Sequence, residues 1–114
     1  MERGYLYMIS KFLEGTRNCI VEKGHQIQLE YYLIETKLRE NSEELETLYG
    51  IEIIKRNQDS MLEFPMESDM ISGISENKEK VRQILNQLIA YTVTPVTLPY
   101  VLDDYFYETP FISS

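Results

Sequence analysis

The sequence predicts an α+β fold in which an antiparallel β-meander of three to four strands is packed on one face by two C-terminal helices. Residues 26–36 alternate between apolar and polar side chains, which is typical of a half-buried strand. Residues 81–89 carry apolar side chains at helical spacing, and residues 98–106 repeat this pattern after Pro95. Because the strands follow one another through short connections, antiparallel pairing is the expected arrangement.

The length of 114 residues predicts a single domain, residues 1–114. Within it we expect an N-terminal extension (1–15), the β-meander (17–74), a helix (75–91), a terminal helix (97–107) and a tail (108–114). Residues 5–13 fit a short helix or a strand equally well, since periodicity does not decide over so short a run. Met8 is an alternative start of the chain.

The strands of the meander are predicted from alternation and from the turn residues between them. They are residues 18–22, 26–36, 48–56 and 61–66, with a solvated polar connection at 37–47. Pro65 cannot donate to a strand ladder, so the strand that contains it is expected at an edge. Gly50 predicts a bulge or a close approach of two backbones. At Tyr32 and Ile34 the second face of the sheet also becomes apolar, which predicts cover on both sides there.

Capping residues set the predicted ends of the two helices. Ser75 is the expected N-cap of the first helix, with Glu76 and Glu79 at the positive end of its dipole. Pro95 pushes Thr94 out of the helical region, so the first helix must end near residue 91. Thr97 is then the expected N-cap of the terminal helix.

Three short segments of the chain carry a resemblance. They are residues 29–33 (LEYYL), 49–53 (YGIEI) and 93–98 (VTPVTL), the last followed by Val101, Leu102 and Asp103. In these segments the chain resembles a small, uncharacterised bacterial domain family of unknown function. The resemblance covers roughly residues 17–106 and implies two strands, a helix, the Val-Thr-Pro segment and a short terminal helix, in that order. It implies no activity, cofactor or site residue.

The charge balance argues against two classes of partner. The formal net charge is −8, which repels the phosphate backbone of nucleic acids and anionic membrane surfaces. No apolar run approaches the roughly 18 residues that a membrane-spanning helix needs. The single cysteine, Cys19, cannot form a disulfide within the chain, which fits a reducing compartment. We therefore predict a cytoplasmic protein that binds neither nucleic acid nor membranes directly.

The side chains that usually carry chemistry are sparse. His25 and Cys19 are the only histidine and the only cysteine, so one chain cannot supply a His/Cys cluster for zinc. His25 beside Gly24 is predicted to be a solvated turn residue, and Cys19 a small buried apolar residue. Asp103 and Asp104 diverge by about 100° around a helix and do not form a shared-proton pair. We predict no catalytic residue, no metal site and no cofactor, and hence a protein that is not an enzyme.

The chain has nine tyrosines, which is many for its length. Periodicity places four of them toward the core or its rim: Tyr31, Tyr49, Tyr91 and Tyr105. Other aromatic residues make up a predicted protein-binding patch: Tyr5, Tyr7, Tyr100, Tyr107 and Phe111. Exposed aromatics with few basic neighbours suit a protein partner better than a nucleic acid, although the same tyrosines could instead wall the core.

These features favour a small non-enzymatic protein-interaction or regulatory module whose partner is another protein. An open sheet edge and surplus aromatic residues also make a homodimer an expected form. The alternative function is a small-molecule sensor with a pocket between the sheet and the helices.

Overall fold

The computed structural model describes residues 5–20, 24, 26–40, 46–57 and 67–108. Its elements follow one another as β1 (Tyr5–Ile20), β2 (Gln26–Glu40), β3 (Glu46–Asn57), β4 (Glu67–Ser75), α1 (Lys78–Ala90) and α2 (Leu98–Glu108). The four strands form one sheet in the order β1-β2-β3-β4, and each neighbouring pair is antiparallel. The predicted α+β class, an antiparallel meander followed by two helices, is confirmed. Neither described helix is both long enough and apolar enough to cross a membrane.

Strand β1 begins earlier than the sequence predicts. Residues 5–15, expected to be an extension outside the meander, pair with β2 from Tyr5↔Glu40 onward. The strand continues through Gly15 because a register shift between Leu13 and Gly15 absorbs one extra residue. The open choice between helix and strand at residues 5–13 is thus settled as strand.

The polar segment 37–47, expected to be a solvated connection, is largely part of the sheet. Lys37 pairs with Thr47 and Leu38 with Glu46, so the pairing of β2 with β3 continues into this segment. Charged side chains tolerate this placement because β-pairing is made by the backbone, while the side chains remain partly accessible. The strand predicted at 61–66 lies outside the described residues, and β3 pairs instead with Glu67–Ser75.

The core lies between one face of the sheet and the helices. Successive strand residues point to opposite faces, and alternate residues from the middle of β2 and β3 pack with the helices. The buried cluster consists of Leu29, Tyr31, Leu33, Ile51, Ile53, Val81, Ile84, Leu85, Leu88, Val93, Leu98 and Leu102. Both predicted helical stripes contribute to it. On the opposite face Ile34 and Ile54 are also buried, so the predicted cover on both sides is confirmed there.

The N-cap of α1 is Asn77, and the prediction of Ser75 was wrong. The Asn77 side chain accepts a hydrogen bond from the Lys80 backbone N–H at 3.1 Å. Ser75 is still the last residue of β4, paired with Tyr49, and its hydroxyl accepts from the Asn77 N–H at 3.0 Å. The helix cannot start until the chain has left the sheet, which moves the cap two residues along.

The helix α1 ends in a left-handed reversal before Pro95 is reached. Thr92 has φ 55°. Its N–H donates to the Ile89 carbonyl, and the N–H of Val93 donates to the Leu88 carbonyl, which are the two hydrogen bonds of a Schellman motif. Thr97 directly precedes α2, and its Oγ1 accepts from the Thr94 N–H at 3.2 Å. The two helices are therefore separate, as the sequence predicts.

Gly50 allows β3 and β4 to approach closely. A Cβ at position 50 would overlap the Ile71 carbonyl oxygen and lie 2.7 Å from the Ser72 Cα. The β3–β4 register shifts between Tyr49 and Ile51 at the same place. The close backbone approach, one of the two roles predicted for this glycine, is confirmed.

Candidate protein-binding edge

Strand β1 lies at one edge of the described sheet and carries a group of exposed apolar side chains. The group, here named the β1 patch, consists of Met8, Ile9, Phe12 and Leu13, whose side chains are 44–60% exposed. Met8 and Phe12 pair with residues of the helix-covered face, whereas Ile9 and Leu13 pair with residues of the opposite face. The patch therefore wraps around the edge and offers apolar surface on both sides of it.

Met8 and Phe12, on the helix-covered face, are exposed because the described contacts of α1 with β1 lie further along the strand. Arg17 donates from Nε to the Ile89 carbonyl at 2.9 Å, so it binds the C-terminal end of α1, whose last turn has no basic residue. Glu14 forms an ion pair with Arg82 at 3.4 Å. A Cβ on Gly15 would come within 2.9 Å of Ile89. All three contacts lie at or after the bulge, whereas the β1 patch precedes it.

Lys11, in the middle of the β1 patch, is turned away from the edge. Its ammonium lies 2.7 Å from Oε1 of Glu52 on β3 and 4.4 Å from the centroid of the Tyr32 ring on β2. Oε1 of Glu52 is buried, and the Lys11 ammonium supplies its opposite charge. The lysine side chain therefore crosses the sheet face inward, and its charge is neutralised there.

A second polar group lies further along the same face. Glu30 Oε1 accepts from the Tyr32 hydroxyl at 2.9 Å and from Nε of Arg56 at 3.1 Å. Burial, together with the Glu30 carboxylate, raises the pKa of Tyr32. The hydrogen bond to Glu30 raises the pKa of Arg56. This face thus combines satisfied charge pairs with apolar residues and is not a uniformly apolar surface.

The predicted aromatic patch is divided between two elements. Tyr5 and Tyr7 lie on β1 next to the β1 patch, where the backbone is described. Tyr100 lies on α2 with 70% of its surface exposed, and Tyr107 lies on the same helix. Phe111 lies outside the described residues.

Sequence reasoning missed the exposed residues Met8, Ile9, Phe12 and Leu13. Their apolar types occur at both odd and even positions of β1, a pattern that usually marks a strand buried on both faces. Only the sheet order shows that this strand is at an edge.

The other tyrosines differ in their surroundings. Tyr31 is fully buried, and its hydroxyl donates to the Val93 carbonyl at 2.9 Å. Burial raises the pKa of Tyr31 to about 12. Tyr49 packs against the core as predicted. Tyr91, predicted to face the core, is 80% exposed, because the helix has ended at Ala90 and the chain turns away before its side chain could reach the sheet.

The hollow that Asn18, Cys19, Ile20 and Gln26 line has a volume of about 220 Å³. It lies where β1 runs toward β2, whereas the ligand-sensor alternative requires a pocket between the sheet and the helices. Within the described part of the chain, the core cluster lies in that interlayer space. Cys19 is half-buried and packs against the core, and His25 lies outside the described residues. No group of three His, Cys, Asp or Glu side chains that could hold a metal ion occurs in the described ranges.

The model of a family described as a family of unknown function (DUF6514) matches residues 10–108. The comparison with curated proteins found no match. The comparison with solved structures found none either.

Proposed function

Since the chain belongs to the family of unknown function DUF6514, we propose its function from its own surface: a small non-enzymatic module that binds another protein along strand β1. The observation that carries the proposal is the β1 patch at the sheet edge. A partner segment in extended conformation would add a strand to β1 and cover the patch. This is the strand-addition mode, in which backbone hydrogen bonds give affinity and side chains give specificity.

The length of β1 supports the proposal. The strand has 16 residues, which at 3.3 Å per residue is about 50 Å of backbone. Proteins usually protect such edges with short strands, prolines, outward charges or bulges, because an open edge pairs readily with other chains. Between Met8 and Leu13 the one charged residue is Lys11, and its side chain is turned inward to Glu52. The first half of β1 therefore lacks the usual protection.

Strand β4, at the opposite edge of the described sheet, is less suited to strand addition than β1. Strand β4 has only nine residues. Gly73 lies in it with φ 66°, and the β3–β4 register is irregular. Glu67 and Asp69 add negative charge near its start. These are the features that discourage strand addition, so β1 is the better binding edge.

The proposal also covers the cellular compartment and the classes of partner that the chain does not bind. We place the protein in the cytoplasm, where the single Cys19 would stay reduced. The net charge of −8 disfavours nucleic acids and anionic membranes as partners. Among the classes of partner, a protein is the one that best fits an apolar strand edge.

The test is affinity capture of binding proteins from a lysate of the native host with three forms of the chain. The first is the unchanged chain. The second carries Ile9→Lys and Leu13→Lys, which place two charges on the β1 patch. The third carries Ile20→Lys, a matched control, because Ile20 is on the same strand and the same face but beyond the bulge, and is also exposed.

We expect a protein that the unchanged chain and the Ile20→Lys control retain and that the double variant loses. Circular dichroism of all three forms establishes that each is folded. Equal retention by the three forms, or no retained protein at all, would contradict binding through the β1 patch.

A further inference from the structure

We propose that the partner at the β1 edge is a second copy of this chain, paired antiparallel about a two-fold axis that passes through Ser10. The two four-stranded sheets would then join through their β1 strands into one continuous sheet. The inference rests on the proposed function, since it takes the same edge as the binding surface.

The arrangement of apolar residues along β1 is symmetric about Ser10. In an antiparallel pair centred on Ser10, residues at equal distances before and after it lie opposite one another. Met8 of each copy then faces Phe12 of the other copy, on the helix-covered side of the sheet. On the other side Ile9 faces Lys11, and Leu13 lies opposite position 7 of the other strand. Directly opposed side chains are the unit of sheet stabilisation, so every member of the β1 patch gains a neighbour.

The charges at the edge permit this pairing although the whole chain carries −8. Between Met8 and Leu13 the only charged residue is Lys11. Its ammonium lies over Tyr32 and against Glu52, away from the edge. What Lys11 offers to Ile9 of the other copy is therefore its aliphatic stem.

The position of the helices also permits the pairing. The described contacts of α1 with β1 lie at Glu14, Gly15 and Arg17, at or after the bulge. In an antiparallel pair centred on Ser10, these later halves of the two β1 strands point to opposite ends of the joined sheet. The two α1 helices therefore stay apart when the strands pair.

Neighbouring registers that keep both sheet faces aligned are poorer. An axis through Lys11 would set Met8 against Glu14 at the bulge and Phe12 against Ser10, so both would lose their apolar partners. An axis through Phe12 would set Ser10 against Glu14, where the bulge interrupts the strand. An axis through Ile9 would set Met8 against Ser10, so Met8 would lose its apolar partner.

The first test measures the mass of the protein in solution by sedimentation or light scattering. It uses two double variants that place opposite charges at Met8 and Phe12. One variant carries Met8→Lys and Phe12→Lys, and the other carries Met8→Glu and Phe12→Glu. We expect twice the 13.5 kDa chain mass for the unchanged chain and for the Ile20→Lys control. Each charged variant alone should have the mass of one chain, and an equal mixture of the two should regain the double mass.

The second test fixes the register by disulfide formation at the axis. Directly opposed residues of an antiparallel pair have Cα atoms about 4.5–5.5 Å apart, which a disulfide can span. In a Cys19→Ser background, Ser10→Cys should cross-link two chains under mild oxidation, whereas Ser68→Cys on the exposed part of β4 should not.

Two results would overturn the proposal. One is a single-chain mass for the unchanged protein at all micromolar concentrations. The other is a double mass that persists in both charged variants or is not regained on mixing them. The two proposals can be told apart by these experiments. A monomeric chain that still retains a different protein through Ile9 and Leu13 would exclude the second copy as the partner but would keep β1 as the binding edge.

Discussion

At the scale of single residues, Tyr31 has the largest structural role, because it connects the middle of the sheet to the end of α1. Its ring lies in the core, and its hydroxyl donates to the Val93 carbonyl at the reversal after the helix. A buried carbonyl that loses its donor costs about 1–3 kcal/mol. This single bond therefore helps to hold the turn that separates the two helices.

We predict that Tyr31→Phe lowers the free energy of unfolding by about 1–3 kcal/mol at neutral pH. It should also change the response to alkaline pH. Burial raises the pKa of Tyr31 to about 12, from 10.0 in the unfolded chain. Its contribution to stability is therefore complete below pH 10 and is lost as the pH rises toward 12. Denaturant titrations between neutral pH and pH 12 measure both effects.

The matched control is Tyr91→Phe, because Tyr91 is exposed and lies at the end of the same helix. It should leave stability unchanged within about 0.5 kcal/mol. Tyr32 and Tyr49, whose pKa values are also raised by burial, continue to titrate in the Tyr31→Phe protein. An alkaline decline that is identical in the unchanged and Tyr31→Phe proteins would contradict the role assigned to Tyr31.

At the scale of elements, the reversal that ends α1 uses an unfavourable residue. Thr92 adopts φ 55°, a left-handed conformation that costs an L-residue about 1–2 kcal/mol. Glycine adopts it without that cost but loses about 0.5–1 kcal/mol more than other residues through its flexibility when unfolded. We predict that Thr92→Gly stabilises the protein by about 0.5–1 kcal/mol, measured by chemical denaturation. Ala90→Gly, two residues earlier inside the helix, should instead destabilise it by about 1 kcal/mol.

The close approach of β3 and β4 gives a prediction of the opposite sign. A methyl group at Gly50 would meet backbone atoms of Ile71 and Ser72, which cannot move aside as a flexible side chain can. We predict that Gly50→Ala lowers the free energy of unfolding by about 2 kcal/mol or more. Hydrogen exchange should show the loss first in the amides of β4. Ser72→Ala, which changes only an exposed side chain nearby, should leave both measurements unchanged.

The elements show how far sequence reasoning reached. The α1 stripe from Val81 to Leu88 was predicted correctly because an amphipathic helix has its own period, independent of what it packs against. Residues 5–13 stayed undecided because β1 is apolar at both odd and even positions. The α1 cap was misplaced because Ser75 belongs to a strand ladder, which is a long-range interaction. The β1 patch could not be predicted, since the sheet order decides which strand is exposed.

At the scale of the whole molecule, the layers are unequal in extent. Strand β1 begins at Tyr5, and its described contacts with α1 lie at or after the bulge at Glu14. The two helices bury the middle of the sheet and leave the first half of its longest strand with exposed apolar side chains. On the proposal above, another chain covers this edge.

If that other chain is a second copy, stability must depend on concentration, because any ligand that binds only the folded state stabilises it by mass action. We predict that the Tm of the unchanged protein rises by about 2–4 °C for each tenfold increase in concentration. The Met8→Lys and Phe12→Lys double variant should melt at the same temperature throughout, since its edge cannot pair with itself. Scanning calorimetry of both proteins over one concentration series measures this, with Ile20→Lys expected to follow the unchanged protein. A concentration-independent Tm in the unchanged chain would mean that its β1 edge stays open in solution, and the pairing about Ser10 would have to be abandoned.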